Sequence, residues 1–189
     1  MAEVLLFHHA QGLTPGVVAI AERLRAAGHV VHAPDLYEGR TFGELSQGVA
    51  HAERTLGTNE VVARAARAAE ALPAELVYVG FSLGVVPAQR LAQTRPGAKG
   101  AVLFGGALAL SWFGGAWPDG ARLQVHAAEP DEWVEWDDTR QTVAAVPGAE
   151  LFAYPGAHHL FVDGSLPAHD PAAASLFEKR VLAFLAGVG

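Results

Sequence analysis

Three polar residues on three separate loops have the types that nucleophilic catalysis needs. Ser82 sits in Gly80-Phe81-Ser82-Leu83-Gly84, a G-x-S-x-G pattern. An apolar, β-branched run precedes it (Leu76, Val77, Tyr78, Val79) and a helical pattern follows. A strand turning sharply into a helix tolerates no Cβ beside the turn, so glycines flank the apex and the apex side chain projects above the sheet edge. A serine there has its own helix N-terminus behind it, which favours developing negative charge. Its hydroxyl still needs a base to take its proton and a third group to hold that base. The base comes from Tyr154-Pro155-Gly156-Ala157-His158-His159, where the turn residues place a histidine on a loop. The acid comes from Glu129-Pro130-Asp131, between serine and histidine in chain order. Spacing alone leaves His158 open beside His159, and Glu129 beside Asp131.

The elements that must position these residues alternate along the chain. Strands are expected over 4–8, 29–33, 75–79, 99–104, 122–127 and 149–154. Helices are expected over 14–28, 59–72, 82–94 and 134–145, with a last one starting at Asp170 and Pro171. Thr14 can cap the first helix and Pro15 suits its first turn. Its apolar face is Val17, Ile20, Ala21 and Leu24, and the last helix should bury Leu176, Phe177, Val181, Phe184 and Leu185. Nearly all-apolar strands alternating with helices predict a parallel sheet covered on both faces. Ligands of such sheets sit beyond the carboxyl ends of the strands, where strand order reverses. The three long loops, 34–57, 105–120 and 155–169, all follow strands; the first should hold a short helical turn.

Bulk properties narrow the classes. The 189 residues suit one domain over 1–189 with one sizeable core. The formal charge is -7, from 13 basic and 20 acidic residues, and the basic ones are scattered. That predicts no nucleic-acid or anionic-membrane partner. There is no cysteine, which excludes disulfides, thiol nucleophiles and thiolate metal sites. The N-terminus reads as a strand rather than a signal peptide, and no apolar run reaches membrane-spanning length, so a cytoplasmic location is expected. No cofactor is expected. His8 and His9 are candidate metal ligands with His158 or His159, but adjacent strand residues face opposite sides, and no metal site is expected.

With Phe7-His8-His9-Ala10-Gln11-Gly12 and Pro34-Asp35-Leu36-Tyr37 added, the chain resembles the dienelactone hydrolase family of α/β-hydrolases over nearly its full length. The resemblance implies an α/β fold: a minimal α/β-hydrolase domain of about six mainly parallel strands, order 2-1-3-4-5-6, with helices on both faces. It places the nucleophile at Ser82, the acid at Asp131 and, through Gly156 to Phe161, the base at His159. It also suggests an oxyanion hole from the backbone N–H groups of Leu83 and Ala10. Family members that act on dienelactone use a cysteine nucleophile and a glutamate after the first strand. Here those positions are Ser82 and His9, and a serine activated by histidine needs no such glutamate.

The expected activity is therefore hydrolysis of small carboxylic esters or lactones. The competing readings are a catalytically silent binding protein with the same fold, and a nucleotide-binding protein, which the absence of G-x-G-x-x-G after the first strand disfavours. Trp112, Phe113 and Trp117 are candidates for an apolar substrate wall. His9 and Arg40 are candidates for substrate contact, with Arg40 suited to a carboxylate. Trp133 and Trp136 are expected to pack the start of a helix. With no inserted lid domain, the site should be open and roofed by loops.

Overall fold

The computed structural model describes residues 1–188 and contains one sheet of six strands, every neighbouring pair parallel. The strands are β1 (Glu3–Phe7), β2 (Val30–His32), β3 (Val77–Phe81), β4 (Gly100–Phe104), β5 (Arg122–Glu129) and β6 (Glu150–Pro155). Their order is β2-β1-β3-β4-β5-β6, as expected. The helices are α1 (Pro15–Ala26), α2 (Leu45–Ala50), α3 (Thr58–Glu70), α4 (Val85–Thr94), α5 (Trp136–Ala145) and α6 (Pro171–Ala186).

The side-chain alternation of β1 divides the core in two. Val4 and Leu6 pack with α1 and α6 through Val17, Ile20, Phe177 and Phe184. Leu5 and Phe7 pack with α3 and α4 through Val61, Ala65, Ala88 and Ala92. Period-two strands sandwiched between amphipathic helices produce this layering. Phe104 links Phe81, Phe161 and Phe177, with ring centroids 5.0 to 5.7 Å apart, so the loop before α6 is anchored into the same core as β3 and β4.

Thr14 caps α1, its hydroxyl accepting from the Val17 N–H, and Asp170 caps α6 by accepting from Ala172 and Ala173. Three differences from the sequence reading stand out. Leu176 is 42% exposed, because the buried stripe of α6 begins at Phe177. β2 is only three residues long, as suits an edge strand. Residues 34–57 hold more than a short turn: α2 runs on through a wider π turn at His51–Leu56. Leu45, Val49, Ala52 and Leu56 stand four, three and four residues apart, a helical spacing that the glycines at 43, 48 and 57 obscure. Among the described residues no helix is long and apolar enough to cross a membrane.

Candidate active site

The β3–α4 turn carries Ser82 in the left-handed region, at φ 50°. Such a conformation costs a β-carbon-bearing residue roughly 1–3 kcal/mol and persists only where the surroundings enforce it. The surroundings here are backbone. A Cβ on Gly80 would collide with the Gly84 carbonyl, and one on Gly84 with the carbonyls of Phe7 and His8. The turn is thereby pressed against the end of β1. Leu160, directly after His159, is also left-handed, at φ 60°.

Ser82 Oγ lies 2.8 Å from His159 Nε2. The other ring nitrogen, Nδ1, donates to Asp131 Oδ2 at 2.7 Å. Asp131 Oδ1 accepts the N–H of Trp133 at 3.0 Å, so both carboxylate oxygens are engaged. The aspartate follows a cis Glu129–Pro130 peptide at the end of β5. The structure thus brings together Ser82, Asp131 and His159, and leaves Glu129 and His158 outside the chain of hydrogen bonds. With Nδ1–H committed to the aspartate, Nε2 faces the serine as an acceptor.

Ala10 and Leu83 line the same cavity as Ser82, a space of about 230 Å³. The Ala10 N–H has no protein acceptor among the described residues. The Leu83 N–H belongs to the first turn after Ser82, where no intrahelical acceptor exists. Two unpartnered donors beside a serine are what a developing oxyanion requires.

The β1–α1 loop is fixed from beneath. His9 is fully buried and donates Nε2–H to the buried carboxylate of Asp163 at 2.9 Å, while its Nδ1 accepts the Gln11 N–H at 3.2 Å. The Thr14 hydroxyl donates to the same carboxylate at 2.5 Å, and Ser165 donates its N–H and hydroxyl at 2.8 and 2.6 Å. Burial pushes the Asp163 carboxyl up, but the bonds from His9, Ser165 and Thr14 outweigh it and hold it down at about 2. His8 donates Nδ1–H to the His9 carbonyl and accepts the Leu36 N–H at Nε2; burial lowers it to about 4.

His9 therefore does not reach substrate space: its imidazole is turned into the protein by Asp163. The other four candidate substrate contacts also lie elsewhere. Arg40 is exposed and borders no part of the Ser82 cavity. Trp112 is 64% exposed and Phe113 half-buried, both on a short helical turn, Leu110–Phe113, and neither lines the Ser82 cavity. Trp117 donates its indole N–H to the Ala121 carbonyl at 2.8 Å, closing the base of its own loop. Gly114 and Gly115 turn the chain there at φ 106° and 82°, conformations that glycine adopts readily.

The walls come instead from residues the sequence reading assigned to packing or passed over. Val49, Ala52 and Glu53 of the α2 segment roof the cavity, so the roof is helical rather than a bare loop. Trp133 lies beside His159, ring centroids 6.1 Å apart, and lines the cavity; only Trp136 packs as expected, beneath Arg140. The one signal for Trp133 was its place two residues after Asp131, on the loop that must approach the histidine.

A sequence profile described as the dienelactone hydrolase family matches residues 1–189. No curated protein matches the chain. Among solved structures, the chain is similar to a dienelactone hydrolase-like promiscuous phosphotriesterase from metagenomic libraries (TM-score 0.75, 20% identity, 100% of this chain and 87% of that one). A dienelactone hydrolase from Anabaena variabilis gives TM-score 0.70 at 19% identity, over 99% and 87% of the two chains. A thermophilic esterase from Thermogutta terrifontis, solved with butyrate bound, gives 0.69 at 18%, over 100% and 83%. At these identities the structural likeness speaks for the α/β-hydrolase fold.

Proposed function

The chain belongs to the dienelactone hydrolase family, and on that premise we propose that it is a serine hydrolase of small carboxylic esters or lactones. The observation that carries this reading is the Ser82–His159–Asp131 chain of hydrogen bonds, at 2.8 and 2.7 Å, opening onto the cavity that Ala10 and Leu83 line. Ser82 Oγ attacks the carbonyl carbon as His159 Nε2 takes its proton. Asp131 holds the imidazole in the acceptor tautomer and stabilises the imidazolium. The N–H groups of Ala10 and Leu83 bind the oxyanion. His159 then returns the proton to the leaving alkoxide, giving the alcohol and an acyl-serine. Water, deprotonated by the same histidine, attacks the acyl carbon; the acyl–Oγ bond breaks, His159 returns the proton to Ser82 Oγ, and the acid leaves. A lactone follows the same course, with leaving group and acid in one molecule.

A cavity of about 230 Å³ suits acyl groups of a few carbons. The butyrate bound by the Thermogutta esterase, a structural neighbour, supports the same size class. A fluorophosphonate probe tests the chemistry and p-nitrophenyl esters of increasing length test the size. The expected results are a label on Ser82, no label in Ser82→Ala, and kcat/KM that peaks at acetate to butyrate. An unlabelled Ser82 with no ester turnover would favour the silent binding protein.

A further inference from the structure

The loop that carries Ala10 is gripped by the roof of the substrate cavity. Gln11, directly after Ala10, is 4% exposed. Its side-chain Nε2 donates to the carbonyls of Phe42 and Gly43 at 3.0 and 3.1 Å. Its main-chain carbonyl accepts the Phe42 N–H at 3.0 Å, and its own N–H donates to His9 Nδ1 at 3.2 Å. Gly48 of α2 packs on the Ala10–Gln11 peptide so closely that a Cβ there would collide with the Ala10 carbonyl. A Cβ on Gly12, at φ 93°, would collide with the Arg40 carbonyl. Residues 10–12 are thus packed against residues 40–48. One residue past Gly48, Val49 begins the cavity wall that Ala52 and Glu53 continue. The wall and the Ala10 loop form one packed body.

This packing bears on chemistry because an oxyanion donor works only in place. Removing one such donor costs about 10²–10³ in kcat, and a displacement of about 1 Å can cost 10²-fold. The Ala10 N–H is main chain, so its direction is that of the His9–Ala10 peptide plane. His9 is held from beneath by Asp163. The next peptide, Ala10–Gln11, is held from above by Gly48 and by the Gln11 side chain. A carboxamide suits that task, because its two N–H bonds leave one rigid group and satisfy two successive carbonyls. A carboxylate of the same shape would turn oxygens toward both carbonyls. A methionine would leave both without that donor.

Resting on the hydrolase reading above, we propose that Gln11 is a positioning residue for the reaction. Its carboxamide ties the Ala10 loop to the cavity roof and so keeps the Ala10 N–H where the oxyanion forms. Gly48 serves the same peptide from the roof side. Gln11 acts through Ala10 rather than on the substrate.

Gln11→Met, Gln11→Glu and Gly48→Ala test the proposal, with Arg95→Met as the comparison. Arg95 likewise donates to main-chain carbonyls, those of Ala69, Leu72 and Pro73, but before β3, at the opposite end of that strand from Ser82. On p-nitrophenyl acetate the Gln11 and Gly48 variants should lose about 10- to 100-fold in kcat. KM should change little, since acylation and deacylation both pass through an oxyanion. A trifluoromethyl ketone inhibitor supplies a second readout. Ser82 Oγ adds to its carbonyl carbon, the proton goes to His159, and the carbonyl oxygen becomes a lasting oxyanion. Its Ki should rise by about the factor that kcat falls. Gln11→Met combined with Gly48→Ala should lose less than the product of the single losses, because both act on one peptide. Arg95→Met should lower the thermal midpoint and keep kcat and Ki. Values of kcat and Ki within about threefold of the parent in folded Gln11→Met and Gly48→Ala, or equal losses in Arg95→Met, would overturn the proposal and leave the hydrolase reading intact. Should Gln11→Met fail to fold, the Gly48→Ala values decide in the same way. No ester turnover by the parent would overturn the hydrolase reading, and this role with it.

Discussion

His9 and Asp163 are 154 positions apart and form a fully buried hydrogen-bonded pair at 2.9 Å. One residue lies just past the end of β1, beside Ala10; the other closes the loop that carries His159. The pair therefore joins the segment proposed to supply an oxyanion donor to the segment proposed to supply the base. Thr14 and Ser165 complete the carboxylate's partners, so the joint includes the cap of α1.

Asp163→Ala should destabilise the protein by about 3–5 kcal/mol, the usual cost of removing one member of a buried hydrogen-bonded pair. It leaves His9 Nε2–H, the Thr14 hydroxyl and Ser165 without their acceptor. Asp163→Asn, which keeps the shape and one of the two acceptor oxygens, should cost less. Chemical denaturation of both variants measures the difference; equal stability of Asp163→Ala and the parent would show that the network is replaceable by water.

Ser82→Ala should abolish ester turnover and leave stability within about 0.5 kcal/mol, since the side chain makes a single hydrogen bond and both residues bear a Cβ in the left-handed region. Calorimetry beside an esterase assay checks it. A large loss of stability with retained turnover would mean that the serine is structural.

Asp131→Asn should lower kcat by a factor of roughly 10⁴, the scale for a triad whose imidazole is driven to the wrong tautomer. An asparagine amide facing Nδ1 donates rather than accepts, so the Nε2 lone pair is no longer presented to Ser82. KM should change far less, because Asp131 contacts the imidazole rather than the substrate. Steady-state kinetics on p-nitrophenyl acetate separate the two effects.

Acid should weaken the fold in a defined window. Burial lowers His8 to about 4, and burial with the Arg180 charge lowers His126 to about 3, from an ordinary 6.5. Both are neutral in the native state. The unfolded chain gains protons first as pH falls below 6.5, so stability declines from there and levels off below about 4 for His8 and 3 for His126. Asp163 acts lower: its contribution is present above the ordinary 3.8 and is lost as pH falls toward about 2. Urea midpoints measured from pH 7.5 to 4.5 should fall throughout. His126→Gln, which can keep a hydrogen bond to Tyr154 or Gln124, should flatten part of that slope.

The local order of elements and the serine turn were legible in the sequence because both are short-range. Strand and helix periods read directly from Val4, Leu6, Val17 and Ile20, and Gly80 and Gly84 mark a turn that admits no Cβ. Strand order also followed, through the family resemblance. The choice of Asp131 over Glu129 and His159 over His158 needed that resemblance, since neighbouring residues of the same type differ only in where their loops point. Which side chains face the cavity was decided by tertiary structure alone. His9 is drawn inward because a buried carboxylate 154 residues away can be satisfied only by convergent donors. Trp112 and Trp117 are carried off by a loop closed on Ala121, and Trp133 takes the place beside the imidazole. Loop conformations of this kind rest on contacts between segments distant in sequence, and no local pattern of residue types encodes them.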